Sequence, residues 1–425
     1  MFKQRWMLAC VLGLLLAGLV LPAQAQGGSQ VEFVAFNSDN IMVAGAGSNV
    51  APATIPPGFQ VTGGPTTWTP DGSQFLFTAL NLNEIAAPYV MLSNGPNTEA
   101  APVAGDVMTA FPFAFTASGE LVYTARTGQM VAAEGPGGEM INVMQLALNP
   151  VGTPELIGSF VWGVGCGGGG NIPAMWRLSS EWQAGPGGSP MILAVTPYGI
   201  VHSTNCGGRG VALFDFATTT DTVIDAELGW VAVSPDGEQL AGVRVHYDTD
   251  GTATRELVLV NLSNLVSTVQ PTPGMPQVVT WSAAPDSTNL YFTVVEETAR
   301  FPADAEQQQR MSEALDYMEP TTLPINTVTV YQQNIVTTET IPVHQIEAYA
   351  IGRLHVLSDE SGLVFSVIPS LDTWGNLVLT GGIDPWDSEM GLSVTLVELH
   401  HLNLADGSVS LLGTDLNQSV IKPVQ

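Results

Sequence analysis

Lysine is almost missing from this sequence: of 425 residues only Lys3 and Lys422 carry it, and 39 acidic side chains face 11 basic ones for a formal net charge of −28. Such a balance excludes binding driven by the phosphates of nucleic acid or by anionic lipid headgroups, since both need a cationic partner. Cysteine is scarce too, at three residues, which excludes a disulfide framework and a four-cysteine zinc site. No apolar run after Leu21 approaches the roughly 20 residues of a membrane-spanning helix. A Gly-x-Ser-x-Gly elbow is absent and no length remains for a hydrolase domain, so serine-triad hydrolysis is not expected. The six histidines, His202, His246, His344, His355, His400 and His401, show no zinc-site spacing. His400 and His401 are adjacent, so a strand would send them to opposite faces.

What is present starts with an export leader. Lys3 and Arg5 precede the uncharged apolar stretch Met7 to Leu21, and Ala23-Gln24-Ala25 supplies the small residues read by a signal peptidase. Residues 1–25 are therefore expected to be removed and residues 26–425 to work in the periplasm or outside the cell. Loss of the two basic leader residues takes the charge to −30. The two remaining cysteines, Cys166 and Cys206, sit in matching Cys-Gly-Gly settings and are expected to form one disulfide in that oxidising compartment.

Glycine (45) and proline (29) are plentiful while Lys and Glu are few, which indicates an all-β chain. An internal repeat organises it. Trp68-Thr69-Pro70-Asp71-Gly72 precedes Phe75-Leu76-Phe77, Val233-Ser234-Pro235-Asp236-Gly237 precedes Leu240-Ala241, and Trp281-Ser282 with Pro285-Asp286 precedes Leu290-Tyr291-Phe292. Weaker copies run from Phe115-Thr116, from Val195-Thr196-Pro197 and from Val356 through Ser358-Asp359. Each copy reads as a hairpin: an apolar strand, a turn in which Pro sets φ and Asp71, Asp236 or Asp286 caps, then a returning strand. Four strands per unit of about 40 residues make a propeller blade.

These copies resemble the Trp-Ser-Pro-Asp-Gly repeat of TolB-type β-propellers, without the small N-terminal domain that accompanies TolB itself. The resemblance implies an all-β propeller filling residues 26–425, with six blades expected and seven as the alternative. Asn40 to Val50 matches the outer hairpin of such a blade, so N-terminal strands are expected to close the ring by completing the blade begun near Val356. Two spacings are long and predict insertions at about 163–188 and 296–324. The first carries Trp162, Trp176 and Trp182, candidate anchors of a binding loop. The second predicts the one helix, Pro302 to Tyr317, with Met311, Leu315 and Met318 on one face.

Three functional readings follow. The first is a non-enzymatic binding module, since the resemblance implies a protein partner and no catalytic set is visible. The second is a calcium-dependent enzyme of lactonase or lyase type with the metal in the central channel. Asp248 and Asp250, with Glu256 downstream, form a fragment of a calcium loop, although a plain hairpin turn explains the same residues. A surface protein that assembles into arrays is a third reading.

Overall fold

A computed structural model describes residues 31–422 apart from 37–41, 109–112, 132–137, 164–174, 178–181, 185–191, 204–209, 283–287, 302–304, 310–322, 369–397 and a few shorter stretches. The leader lies outside the described residues. The chain opens with β1 (Glu32–Phe36), β2 (Met42–Ala46) and β3 (Asn49–Pro52). The first blade holds β4 (Phe59–Val61), β5 (Thr67–Trp68), β6 (Phe75–Asn81), β7 (Pro88–Ser93) and β8 (Ala101–Ala104). In the second are β9 (Ala114–Phe115), β10 (Leu121–Val131), β11 (Gly138–Leu146), β12 (Glu155–Gly163), β13 (Met175–Arg177) and β14 (Trp182–Ala184). The third has β15 (Ile192–Thr196), β16 (Gly199–Ser203), β17 (Val211–Asp215) and β18 (Thr220–Asp225). The fourth follows with β19 (Leu228–Val233), β20 (Gln239–Tyr247), β21 (Ala253–Asn261) and β22 (Val266–Gln270). The fifth contains β23 (Pro276–Trp281), β24 (Asn289–Phe301), β25 (Leu323–Asn334) and β26 (Thr340–Glu347). The sixth contains β27 (Ala350–Val356), β28 (Gly362–Ile368), β29 (Glu398–Asn403) and β30 (Val409–Thr414). Last comes β31 (Asn417–Ile421), which pairs with β1.

The protein is thus an all-β propeller whose six repeat copies each open one blade, as the motif predicts. A further four-stranded sheet, ordered β3-β2-β1-β31, is built from both ends of the chain. Ring closure by N-terminal strands is therefore observed, but not with the expected partner. The blade that begins at β27 is complete without them, and β1 pairs instead with the later strand β31. The outer hairpin expected at Asn40 to Val50 is β2 and β3.

Seven apolar cores join these sheets in a cycle. Val34 of the closing sheet packs with Trp68 and Phe75 of the first blade. Leu76 and Val90 then meet Leu121 and Tyr123, and Val122 and Ile141 meet Ile200 and Phe214. Val201 and Leu213 join Leu240 and Val258, while Leu257 and Leu259 join Trp281 and Phe292. Tyr291 and Val328 face Leu354 and Phe365, and Val364 and Leu399 return to Phe33 and Ala35. Each sheet covers an apolar face that it could not hide alone, which is why the repeat folds only as a ring.

The repeat turns show how the motif works. The Thr69 hydroxyl donates to Asp71 Oδ1 (2.6 Å), and the Ser73 amide donates to the same oxygen (3.1 Å). Those donors hold the Asp71 carboxyl below its usual range, the Thr69 hydroxyl contributing most. Gly72 follows with φ of 63°. The fourth blade repeats the pattern: Ser234 Oγ donates to Asp236 Oδ1 (2.5 Å), the Gln239 amide donates to Ser234 Oγ (2.9 Å), and Gly237 has φ of 75°. Asp286 lies outside the described residues. Ser234 is buried, so Ser234→Ala strands several of these groups and is expected to cost about 1–3 kcal/mol. Comparing denaturant midpoints of the variant and the parent protein tests this; an unchanged midpoint would remove the hydroxyl from the account.

Both expected insertions are described in part. Within the first, residues 175–177 and 182–184 form β13 and β14, which extend the second blade's sheet. In the second, β24 runs on to Phe301 and β25 starts at Leu323, paired through Phe301 and Leu323. Of the expected helix, Ala305, Glu306 and Gln309 are described and are helical. No helix among the described residues is long and apolar enough to cross a membrane.

Candidate functional site: a hairpin crown on one face of the ring

Antiparallel blades sort their connections onto two faces. Turns between first and second strands, and between third and fourth, leave on one face. Second-to-third connections leave on the other, together with the links to the next blade, such as the two residues between β18 and β19. The repeat turns occupy the first face. On the second, three hairpins rise past the inner strands among the described residues. β20 continues to Tyr247 beyond Arg244, the residue paired with the start of β19. β10 continues to Val131 beyond Ala125, which bridges Val107. β24 continues to Phe301 beyond Val294, the partner of Pro276. At roughly 3.3 Å per residue the two longer overhangs stand about 20 Å above the inner strands.

Arginines brace these overhangs. Arg126 clasps Glu139 across β10 and β11, with Nη2 donating to Oε2 at 2.7 Å and Nε to Oε1 at 3.1 Å. Glu139 is only 8% exposed and also accepts from the Gly128 amide (3.1 Å). Its pKa is lowered, chiefly by the Arg126 hydrogen bonds, and the Arg126 pKa is raised by the same contact. Arg244 bridges two carboxylates, donating from Nε to Asp225 Oδ2 (2.8 Å) and from Nη1 to Glu256 Oε2 (3.0 Å). Beside it His246 Nδ1 lies 3.1 Å from Glu227 Oε1. On β24, Arg300 Nε donates to Glu297 Oε1 at 2.7 Å. Between these fixed charges Met130 is 63% exposed and Tyr247 is 50% exposed.

The residues singled out for calcium do not converge. Asp248 and Asp250 sit in the β20–β21 turn, where the Asp248 amide donates to the Thr252 carbonyl (2.9 Å) and the Thr252 amide donates to Asp250 Oδ1 (2.9 Å). Glu256 lies three register positions down the hairpin from Ala253 and is held by Arg244. The hairpin turn that explains these residues in the sequence is the one observed, and it carries Glu256 away from the turn as the strand descends. Among the described residues no three His, Cys, Asp or Glu side chains are grouped to hold a metal ion. The inner strands β4, β5, β9, β15, β19, β23, β27 and β31 carry no Asp or Glu, and their ionisable residues are Arg353 and His355.

Trp162, Trp176 and Trp182 stand on β12, β13 and β14, opposite Glu139, Phe160 and Arg177 respectively. They are strand positions in the outer half of one sheet rather than the tip of a loop. Cys166 and Cys206 lie outside the described residues. The arginine braces were not visible beforehand, because their partners meet only through hairpin register; the alternation of Arg244 and His246 on β20 was the available signal.

No protein-family model matches this chain, and no curated protein does. In fold it is similar to a Bacteroides uniformis protein provisionally named a 6-phosphogluconolactonase, with a TM-score of 0.46, 9% identity, and coverage of 93% of this chain and 100% of that one. A Lactobacillus plantarum protein gives a TM-score of 0.44 at 12% identity, covering 93% and 99%. An oligogalacturonate lyase solved with manganese gives 0.38 at 12%, covering 81% and 95%. Likeness at this level concerns the fold alone, and no ligand or activity is carried over from it. The resemblance to TolB-type propellers rests on the repeat residues.

Proposed function

We propose that the protein is an exported, non-catalytic propeller that holds a protein partner on its hairpin-crowned face, in the periplasm or outside the cell. The observation that carries this reading is the crown itself: braced hairpins that keep Met130 and Tyr247 exposed between fixed charges. Exposed Met and aromatic residues on restrained supports are good contact anchors, because little side-chain entropy is lost when they are covered. The acidic surface fits a partner with basic residues and rejects nucleic acid. The alternative reading, a calcium-dependent enzyme with the metal in the central channel, has no Asp or Glu on the inner strands to support it.

The test combines capture with unfolding. The double variant Met130→Ala/Tyr247→Ala should retain at least about tenfold less partner from an envelope extract than the parent protein, as loss of two anchors implies. Val336→Ser, a change at a 75% exposed residue of a turn on the opposite face, should retain it fully. Equal loss in both variants, or in neither, removes the crown as the docking face. Thermal unfolding should be unmoved by calcium or chelator; a clear rise with calcium would replace this reading with the channel-metal one.

A further inference from the structure

Four of the six histidines stand on the two interfaces of the sixth blade. On the side of the fifth blade, His344 of β26 lies 5.7 Å from the ring of Phe365, and His400 of β29 stacks on that same ring at 5.7 Å. On the other side, His355 of β27 and His401 of β29 both register with Val364 of β28. Val364 belongs to the core shared with Phe33, Ala35 and Leu416 of the closing segment. His344, His355 and His401 each bury Nε2 with no hydrogen-bond partner, and His400 buries Nδ1 in the same way. A neutral imidazole tolerates this. A protonated one would place a charge and an unpaired N–H in an apolar seam, which is strongly unfavourable.

The position matters more than the number. The seam beside His355 and His401 is where the ring closes, and between β31 and β1 only hydrogen bonds and packing join the two ends of the chain. We propose that this seam is an acid-released latch, in which protonation of His355 and His401 parts the sixth blade from the closing sheet and opens the ring.

The charged groups around the seam set its direction. Arg353, two residues from His355 on β27, opposes a second positive charge there, and burial does so more strongly; together they pull His355 from 6.5 to about 4. Burial also lowers His401, against a smaller opposite pull from Asp359. On the far interface burial lowers His344, and His400 adds to the effect, while His400 Nε2 lies 2.8 Å from Glu398 Oε2. From the closing sheet, Glu32 and Lys422 face each other and cancel. A folded pKa below the open-state value means that the open form takes up the proton first. The latch is therefore intact above about pH 6.5, weakens as the pH falls toward 4, and changes no further below that. With 6.5 open and about 4 closed, His355 alone raises the opening equilibrium about 30-fold between pH 7.5 and pH 5.

Amide hydrogen exchange of the purified chain at pH 7.5 and 5.0, corrected for intrinsic rates, tests this. Peptides covering β27, β31 and β1 should open at least about tenfold more at pH 5.0. Peptides of β20 and β21, whose His246 is exposed, should not change. His355→Leu should remove most of the difference, and His401→Asn serves as the second variant should the first not fold. An equal acid response in the fourth blade, no response at the seam, or an undiminished response in His355→Leu and in His401→Asn would each overturn the proposal.

Discussion

Deleting residues 415–425 is expected to abolish cooperative folding of the whole ring, although it removes one short strand. β31 is the inner strand of the closing sheet, and its loss leaves β1 with an unpaired edge along Phe33 to Phe36. Leu416 and Ile421 also leave the core that binds Val364 and Leu399 to Phe33. Large buried aliphatic residues cost about 2–5 kcal/mol each when truncated, and a native domain holds only about 5–15 kcal/mol in total. Two such losses, with the edge hydrogen bonds added, consume most of that margin. Circular dichroism melting would show a broad transition or none. Adding a synthetic peptide of residues 415–425 should restore a sharp one, because the rest of the seam is intact. A truncated protein that melts as sharply as the full chain would show that the closing sheet is not what holds the ring.

Among the glycines of the described residues, Gly199 is where an added methyl group is expected to be most damaging. Gly199 opens β16 at φ of 146°, in the region that residues with a side chain avoid, and pairs with Asp215. A Cβ there would stand 1.8 Å from the Phe214 carbonyl oxygen and 2.8 Å from its carbon. Those atoms are backbone in a central strand and cannot swing aside, so β16 and β17 would have to separate. Gly95 supplies the control. Its φ is 145°, nearly the same, but an added Cβ meets nothing within 4 Å. Gly95→Ala should therefore cost only the backbone term, about 1–3 kcal/mol. Gly199→Ala should exceed it by several kcal/mol and prevent accumulation of folded protein. Equal denaturant midpoints for the two variants would show that the strand pair yields.

The latch and the crown bear on each other. A partner held across several blades would be released when the sixth blade parts from the closing sheet, so acid lability and partner retention should change together in the His355 variant.

Legibility in the sequence followed the range of the interactions. The turn at Thr69-Pro70-Asp71-Gly72 could be read directly, since its donors and acceptors lie within five residues of each other. The adjacent His400 and His401 could be placed on opposite faces, which their separate neighbours Phe365 and Gly362 bear out. The plain hairpin turn read at Asp248 and Asp250 is what β20 and β21 form, because the alternation of the flanking strands is local. β13 and β14 carry no readable strand pattern, because glycine-rich flanks hide short strands from any periodicity. The meeting of His344 with Phe365 joins two blades, and no local pattern announces it.

What the sequence by itself determined is the all-β repeat, the hairpin that opens each of six blades, and the chemistry of their turns. It could do so because every one of those features is closed by atoms a few residues apart. Only the tertiary structure decided how the ring is completed. The repeat motif lives in the turn between a blade's first and second strands, and in the closing sheet those strands are β31 and β1, from opposite ends of the chain, with no turn between them. A sheet without that turn carries no motif, so it is absent from any count of repeats and appears only when the two ends are brought together in space.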